Sequence, residues 1–332
     1  MKITLQDISK DTGLSVTTVS RALRGDTSIT AENEILILES AQRLGYPIIQ
    51  RKTPISLRSE IYIALLVEIL DGEFYAALLK GFKTLEQHKN VRILICNTLN
   101  MNKSTTDLLV ELKRNHFSAA ILFLPELSHS EYKNIVKNAP KDFPIISIAP
   151  IPNPIMDTIS FDSYGGGYLV AEHFNHRGYK DLGIIKGSNK AIESQIRANG
   201  FTNYIDSQPD LNLVWSYQGD YTPVSGINAY YAYKSSEIKP RALFIANDVM
   251  ALSFISAAKE DNIRIPEDLA IVGFDDIQMA KFNHPKLSTI NADFSQMAEN
   301  SVTHILEELA KPSKHMGYTS LIPVKLNIRE SS

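Results

Sequence analysis

Asp275 and Asp276 stand at the end of the apolar run LAIVGF (269–274), where a buried parallel strand would deliver two carboxylates to the mouth of a cleft. Paired carboxylates can work as general acid and base, but no third group or metal-ligand set is recognisable near them, which argues against catalysis. Arg197, on a helix that follows a strand ending at Lys186, offers the two-pronged donation that holds adjacent hydroxyls or a carboxylate. Taken alone, an arginine there is more often solvated on the surface. Asn247 closes the run ALFIA (242–246) and supplies donor and acceptor together, as sugar recognition needs. His173 and His176, three apart on a helix, would share a metal only with a third ligand that is not evident, so a packing or surface role is favoured. Gly165, Gly166 and Gly167 lack the following Lys-Ser/Thr pair of a phosphate loop and instead permit close packing of a helix start.

These residues hang on a repeating texture. From Ile61 onward, short apolar runs recur: IYIALLV (61–67), VRILIC (91–96), AAILFL (119–124), PIISIA (144–149), TISF (158–161), LGIIK (182–186), ALFIA and LAIVGF. Helix-length segments at 74–88, 104–115, 165–176 and 248–261 separate them. Runs without alternation suit strands covered on both faces of a parallel sheet, joined by helical crossovers. So many βα units exceed one sheet. The fold class expected is α/β, with two open lobes dividing near Ser160 and a ligand bound at strand C-terminal ends between them. At 332 residues and 44% hydrophobic content, the chain is long enough for two or three domains and a large core. The single cysteine, Cys96, excludes an internal disulfide framework and reads as core. No apolar run reaches bilayer-spanning length and no charged leader precedes an apolar segment, so a cytoplasmic protein is expected.

The first residues obey different rules. Thr4 can cap a helix from Leu5, with Asp7 favourable in its first turn, and Gly13 ends it in the left-handed conformation. Ser15 caps a second helix from Val16 to about Arg24. Leu5, Ile8, Leu14, Val19 and Leu23 form an inner seam, leaving Val16, Thr17, Ser20 and Arg21 outward. Two helices and such a turn make a helix-turn-helix, whose second helix can read base edges in the major groove. A third helix from Thr30 to Gly45 lays Ile35, Leu38, Ala41 and Leu44 over the pair. Residues 1–59 carry eight Lys and Arg against six Asp and Glu, a net of +2, so the remainder of this −3 chain carries −5. That footprint is weak for a DNA binder and predicts salt-sensitive binding that depends on dimerisation.

The runs TLQDI (4–8), GLS (13–15), TVSRAL (18–23) and LGY (44–46) resemble the headpiece of the LacI/GalR family of bacterial repressors. The rest resembles that family's effector-binding core through DSYGG (162–166), HRGY (176–179), IRANGF (196–201), AND (246–248), VGFDD (272–276) and PKLSTI (285–290). The resemblance implies that Val16, Thr17 and Arg21 read bases, while Thr4, Ser15, Thr18 and Ser20 serve the helix starts and DNA backbone. It makes Asp275 a ligand for effector hydroxyls, with Arg197 and Asn247 beside it and Tyr221, Phe294 and Phe74 as cleft aromatics. The domains implied are a headpiece (1–46), a hinge (47–60) and a core (61–332), with lobe 1 at about 61–159 and 291–318 and lobe 2 at about 160–290 and 319–332.

Departures from the family pattern are informative. Glu68 and Ala149 stand where sugar-responsive relatives often carry Ser or Thr and Asp, and Phe123 replaces a commonly polar residue. In the hinge, Ile55 takes the place of the leucine that wedges into the minor groove, but Pro54 before it argues against a hinge helix. The function expected is a homodimeric or larger transcription regulator, a repressor of a pseudo-palindromic operator, without cofactor, metal or membrane partner. The stretch DIQMAKF (276–282) resembles the galactoside-responsive branch, so a galactoside or related sugar is the expected effector. Alternatives are a nucleoside, purine or phosphosugar effector and, from another class, a sugar-binding transport protein. An enzyme is disfavoured.

Overall fold

The computed structural model describes residues 3–23, 29–46, 60–68, 72–85, 90–99, 103–312 and 317–332. Pro54 and Ile55, which carry the hinge expectations, lie outside them. The chain divides into two compact units, Met1–Ile61 and Tyr62–Ser332.

The first unit holds α1 (Leu5–Thr12), α2 (Val16–Leu23) and α3 (Ala31–Leu44). Gly13 and Gly45 take the left-handed conformation, at φ 71° and 73°, and end α1 and α3. Thr4 and Asp7 form a capping box at the start of α1. The Thr4 hydroxyl and amide both donate to the Asp7 carboxylate, at 2.7 and 2.8 Å, holding Asp7 below its usual pKa. Ile8, Val19, Ala22, Ile37 and Ala41 form the core, with Leu5, Leu14, Leu23 and Leu44 at its rim. Ile37 therefore replaces Ile35, which lies on the exposed side. The run Ile35–Leu38 is apolar around a whole turn, so periodicity could not select its inner face. In the structure Ile37, Ser40 and Ala41 face inward, and Ser40 and Arg43 donate to Asp11 of α1.

In the second unit, lobe 1 begins with β1 (Ile61–Val67), α4 (Glu73–Leu85), β2 (Val91–Asn97), α5 (Thr105–Arg114), β3 (Ala119–Phe123), α6 (His129–Asn138), β4 (Ile145–Ser147) and β5 (Thr158–Phe161). Lobe 2 follows with α7 (Ser163–His176), β6 (Asp181–Lys186), α8 (Ile192–Asp206), β7 (Asn212–Gln218), α9 (Pro223–Ser235) and β8 (Ala242–Ile245). It continues through α10 (Asp248–Glu260), β9 (Ala270–Asp275), α11 (Gln278–Phe282) and β10 (Ser288–Asn291). The chain then returns to lobe 1 as α12 (Phe294–Ala310) and β11 (Thr319–Ile322), and ends in lobe 2 with β12 (Lys325–Asn327).

Strand order is β11-β5-β4-β3-β1-β2 in one sheet and β12-β10-β9-β8-β6-β7 in the other. All recorded pairs are parallel except β10 with β12. Two lobe boundaries move. Thr158–Phe161 pairs in lobe 1, so the first crossing falls after Phe161 rather than at Ser160. Thr319–Ile322 pairs with those same residues, so the last crossing falls after Ile322 rather than Tyr318. The central strands β5, β8 and β9 are buried at every position, which explains their legibility as continuous apolar runs. Edge strand β7 is mostly half-buried or exposed and carried no such run. No helix among the described residues is long and apolar enough to cross a membrane.

The glycines expected at a helix start are where α7 meets α8. A Cβ on Gly167 would lie 2.1 Å from the Arg197 carbonyl oxygen, and one on Gly200 2.0 Å from that of Tyr164. This contact seats Arg197 in the core. His173 is buried, with its Nε2 3.0 Å from Ser332 Oγ, and burial pushes its pKa down to about 4. It packs; His176 is exposed.

Candidate functional site

On the first unit, Ser15 Oγ accepts the Thr18 amide at 3.1 Å and lies 2.8 Å from Thr18 Oγ1. Both hydroxyls thus start α2, leaving Val16, Thr17 and Arg21 as its exposed side chains and Ser20 half-buried. A short, capped N-terminal turn flanked by a long basic side chain is a shape that fits a major groove.

In the second unit, a cavity of about 730 Å³ lies between the lobes, at the C-terminal ends of β1, β3, β5, β8 and β9. Lobe 1 lines it with rings. Phe74 stacks on Phe123 at 5.5 Å and meets Phe294 edge-on at 5.2 Å; Phe294 meets Phe161 at 5.4 Å, and Tyr75 meets Phe123 at 5.9 Å. Lobe 2 lines it with polar groups. Arg197 is 6% exposed, its guanidinium 3.7 Å from the Phe274 ring centroid, and Nη1 donates to the Ala246 carbonyl at 2.6 Å. The same Nη1 lies 3.7 Å from Asp275 Oδ1, an ion pair too long for a hydrogen bond. Tyr221 and Asp275 hold φ of 72° and 116°, conformations that cost non-glycine residues free energy and recur at ligand sites.

Three buried polar atoms in this cavity make no hydrogen bond of good geometry: Glu193 Oε2, Tyr221 Oη and Asp275 Oδ1. Buried polar atoms are normally satisfied, so these mark where a ligand would be held. Burial pushes the Asp275 carboxyl up to about 7, against the pull of Arg197, and Glu193 and Glu68 also stand above the ordinary carboxylate range through desolvation. Glu68 is raised further by Glu126 and Glu131. The ring of Tyr75 lies near Glu68, Glu193 and Glu126, and its hydroxyl pKa is pushed up to about 12, chiefly by burial.

A model of the periplasmic binding protein-like domain matches residues 171–332. Across 99% of this chain and 98% of its own length, the transcriptional repressor PurR of Pasteurella multocida is 26% identical. PurR of a Haemophilus influenzae strain matches at 26% with the same coverage. Among solved structures, the Lac repressor bound to ONPG superposes over 100% of both chains at a TM-score of 0.75 and 20% identity. A regulator from Enterococcus faecium with bound ribose covers 82% of this chain and 98% of its own at 0.70 and 23%. The chain has the fold of the Lac repressor.

Within this fold, the cavity gathers Glu68, Phe74, Arg197, Tyr221, Asn247, Asp275 and Phe294, all seven residues expected there. Some roles differ from expectation. Asn247 caps α10, its side-chain oxygen accepting the Met250 amide at 3.0 Å, and its Nδ2 donates to the Tyr221 carbonyl at 3.1 Å. It therefore positions Tyr221 as much as it could touch a ligand. Asp276 faces away from the cleft: Arg329 at 2.5 Å, Asn327 at 2.9 Å and Asn291 at 3.0 Å all donate to it, tying β9 to β10 and β12. Ala149 does not line the cavity; Ile148 and Pro150 do, because the chain leaves β4 before Ala149. Asp248, beneath Asp275, accepts from Thr289 Oγ1 at 2.5 Å and the Ile277 amide at 3.0 Å, and burial holds it well above the ordinary carboxylate range.

Sequence reasoning missed Glu193, Glu126, Tyr75, Phe161 and Ser163. Glu193 and Arg197 are four apart on one helix, a spacing that would have paired them once Arg197 was chosen. Away from the cleft, Asp157, His304 and Glu308 bring ligand atoms within 4.8 Å of one another. Both ring nitrogens of His304 are engaged, Nε2 2.7 Å from Asp157 and Nδ1 2.9 Å from Tyr318 Oη, so the trio reads as a tie between α12 and the strands beside it.

Proposed function

We propose that this chain is a sequence-specific DNA-binding repressor whose grip on its operator is set by a small molecule in the interlobe cavity. The observation that carries this reading is the cleft itself: three buried polar atoms without a hydrogen bond of good geometry line it, opposite a wall of rings, in a chain that also holds a capped helix-turn-helix. It is a binding site rather than a catalytic one, since Asp276 is engaged structurally and Asp275 lacks a proton-transfer partner. Ligand closure would shift the lobes between two arrangements and with them the register of two headpieces on DNA.

A homodimer follows from two supports. The Lac repressor, a structural relative at a TM-score of 0.74, was solved as a dimer on its operator. In this chain Val224, Ile227 and Tyr231 present one apolar face of α9, and Phe282 of α11 is 67% exposed.

For the effector we propose a galactoside or related sugar, whose C–H face fits the rings and whose hydroxyls fit Arg197, Asp275 and Tyr221. A nucleoside or purine is the second reading, favoured by the stacked Phe74–Phe123 pair. A phosphosugar fits poorly, because six carboxyl groups line the cavity against one guanidinium. The test is selection of duplex DNA from a random library by the full chain, followed by a melting-temperature screen with galactosides, nucleosides and sugar phosphates. We expect a pseudo-palindromic consensus and the largest rise from a galactoside. Absence of any sequence selection overturns the DNA-binding reading, and a largest rise from a nucleoside overturns the sugar reading.

A further inference from the structure

The charge of the cavity lining is one-sided. Among the described residues that line it, Glu68, Glu73, Glu126, Glu193, Asp220 and Asp275 face Arg197 alone. Arg197 is already committed to the Ala246 carbonyl and the Phe274 ring, at the Asp275 end. Asp220 accepts from the Thr222 amide and hydroxyl, and Glu73 is exposed. That leaves Glu68 and Glu126 of lobe 1 and Glu193 of lobe 2 grouped around Tyr75. Lys190, 3.7 Å from Glu126, is 73% exposed, and Ser188 Oγ donates to Glu126 at 2.9 Å. Neither reaches the buried, unpartnered Oε2 of Glu193.

Carboxylates grouped on apolar walls, with only an exposed lysine and an arginine engaged elsewhere as counter-charge, are costly unless something cationic joins them. A metal ion does not fit. Among the described residues only the Asp157 trio converges tightly enough to chelate one. An ammonium group has three divergent donors and suits acceptors spread around it, and the faces of Tyr75 and Phe123 attract the same charge. The hydroxyl-binding groups Arg197, Asp275 and Tyr221 line the same cavity, with Glu193 one helical turn from Arg197. We propose that the effector is an amine-bearing sugar, its ammonium group held by Glu68, Glu126 and Glu193 against Tyr75 and its hydroxyls by Arg197, Asp275 and Tyr221. This deepens the sugar reading above and rests on it.

Protonation supports the idea. Glu68 and Glu193 stand above their usual pKa because burial disfavours their charge, with Glu126 and Glu131 raising and Lys190 and Arg197 lowering them. A bound ammonium would stabilise their ionised forms, so binding should expel protons from this group.

The experiment is calorimetric titration of the full chain with galactosamine, galactose and N-acetylgalactosamine at pH 6, where the amine carries its charge. Acetylation removes the charge and keeps the ring. We expect galactosamine to bind at least tenfold more tightly than either neutral sugar. The variants E193Q and, on the half-exposed side, E68Q should each reduce that preference several-fold. Equal affinities, tighter binding of a neutral sugar, or no binding by any of the three overturns the amine. Tighter binding of a neutral sugar leaves the sugar-controlled repressor standing, and the DNA selection tests that reading separately. A preference that survives in both variants also overturns the assignment, because it would place the amine elsewhere.

Discussion

The two walls of the cleft solve different problems. Lobe 1 presents Phe74, Tyr75, Phe123, Phe161 and Phe294, rings that touch one another and would be well packed without a ligand. Lobe 2 presents Glu193, Arg197, Tyr221 and Asp275, polar groups held in place by strained backbone and buried contacts yet left partly unsatisfied. The first wall is therefore part of a core and the second is an unfinished hydrogen-bond network. Substitutions on the first should cost stability before binding, and those on the second should cost binding first.

Phe294→Ala should show the largest effect, a loss of about 3 to 5 kcal/mol of stability by denaturant unfolding, because it empties a site between Phe74 and Phe161. A loss below about 1 kcal/mol would mean that this wall is not core. Asp275→Ala should abolish the melting-temperature rise given by the effector, about 100-fold in affinity, since truncating one member of a buried charged pair costs on the order of 3 kcal/mol. If the rise persists, the ligand does not use this wall. Arg21→Ala touches neither wall and should lower operator preference by roughly 1 to 3 kcal/mol per base contact, with the effector-induced shift intact. Unchanged sequence preference would remove Arg21 as a base reader.

The smallest effect concerns pH. The hydrogen bond to Asp157 raises the His304 pKa above its ordinary value, against burial. Protonated His304 therefore contributes stability that is present below its unfolded pKa and is lost as pH rises through the folded one. The stability difference between the wild type and H304Q should accordingly be larger at pH 5.5 than at pH 8.5. A difference independent of pH would mean that the tie is packing alone.

Much of this was legible in order along the chain. Continuous apolar runs marked the central strands, because strands covered on both faces cannot alternate. Gly13, Gly45 and Ser15 marked helix ends, because few residue types satisfy those backbone positions. The edge strand β7 escaped, since its exposed positions carry no such signal.

The sequence by itself determined the two-unit plan, the parallel sheets and the residues Arg197, Asp275, Tyr221 and Phe294 as cleft candidates. Only the tertiary structure decided what each does. Burial on Phe274 separates a cleft arginine from a surface one, and the donors around Asp276 but not Asp275 split a pair that looks equivalent in the chain. Glu68, Glu126 and Glu193 become one acidic group only when β1, β3 and α8 meet across the cleft. Short-range pattern sets which elements form; solvation and charge, which depend on neighbours distant in sequence, set what a side chain can bind.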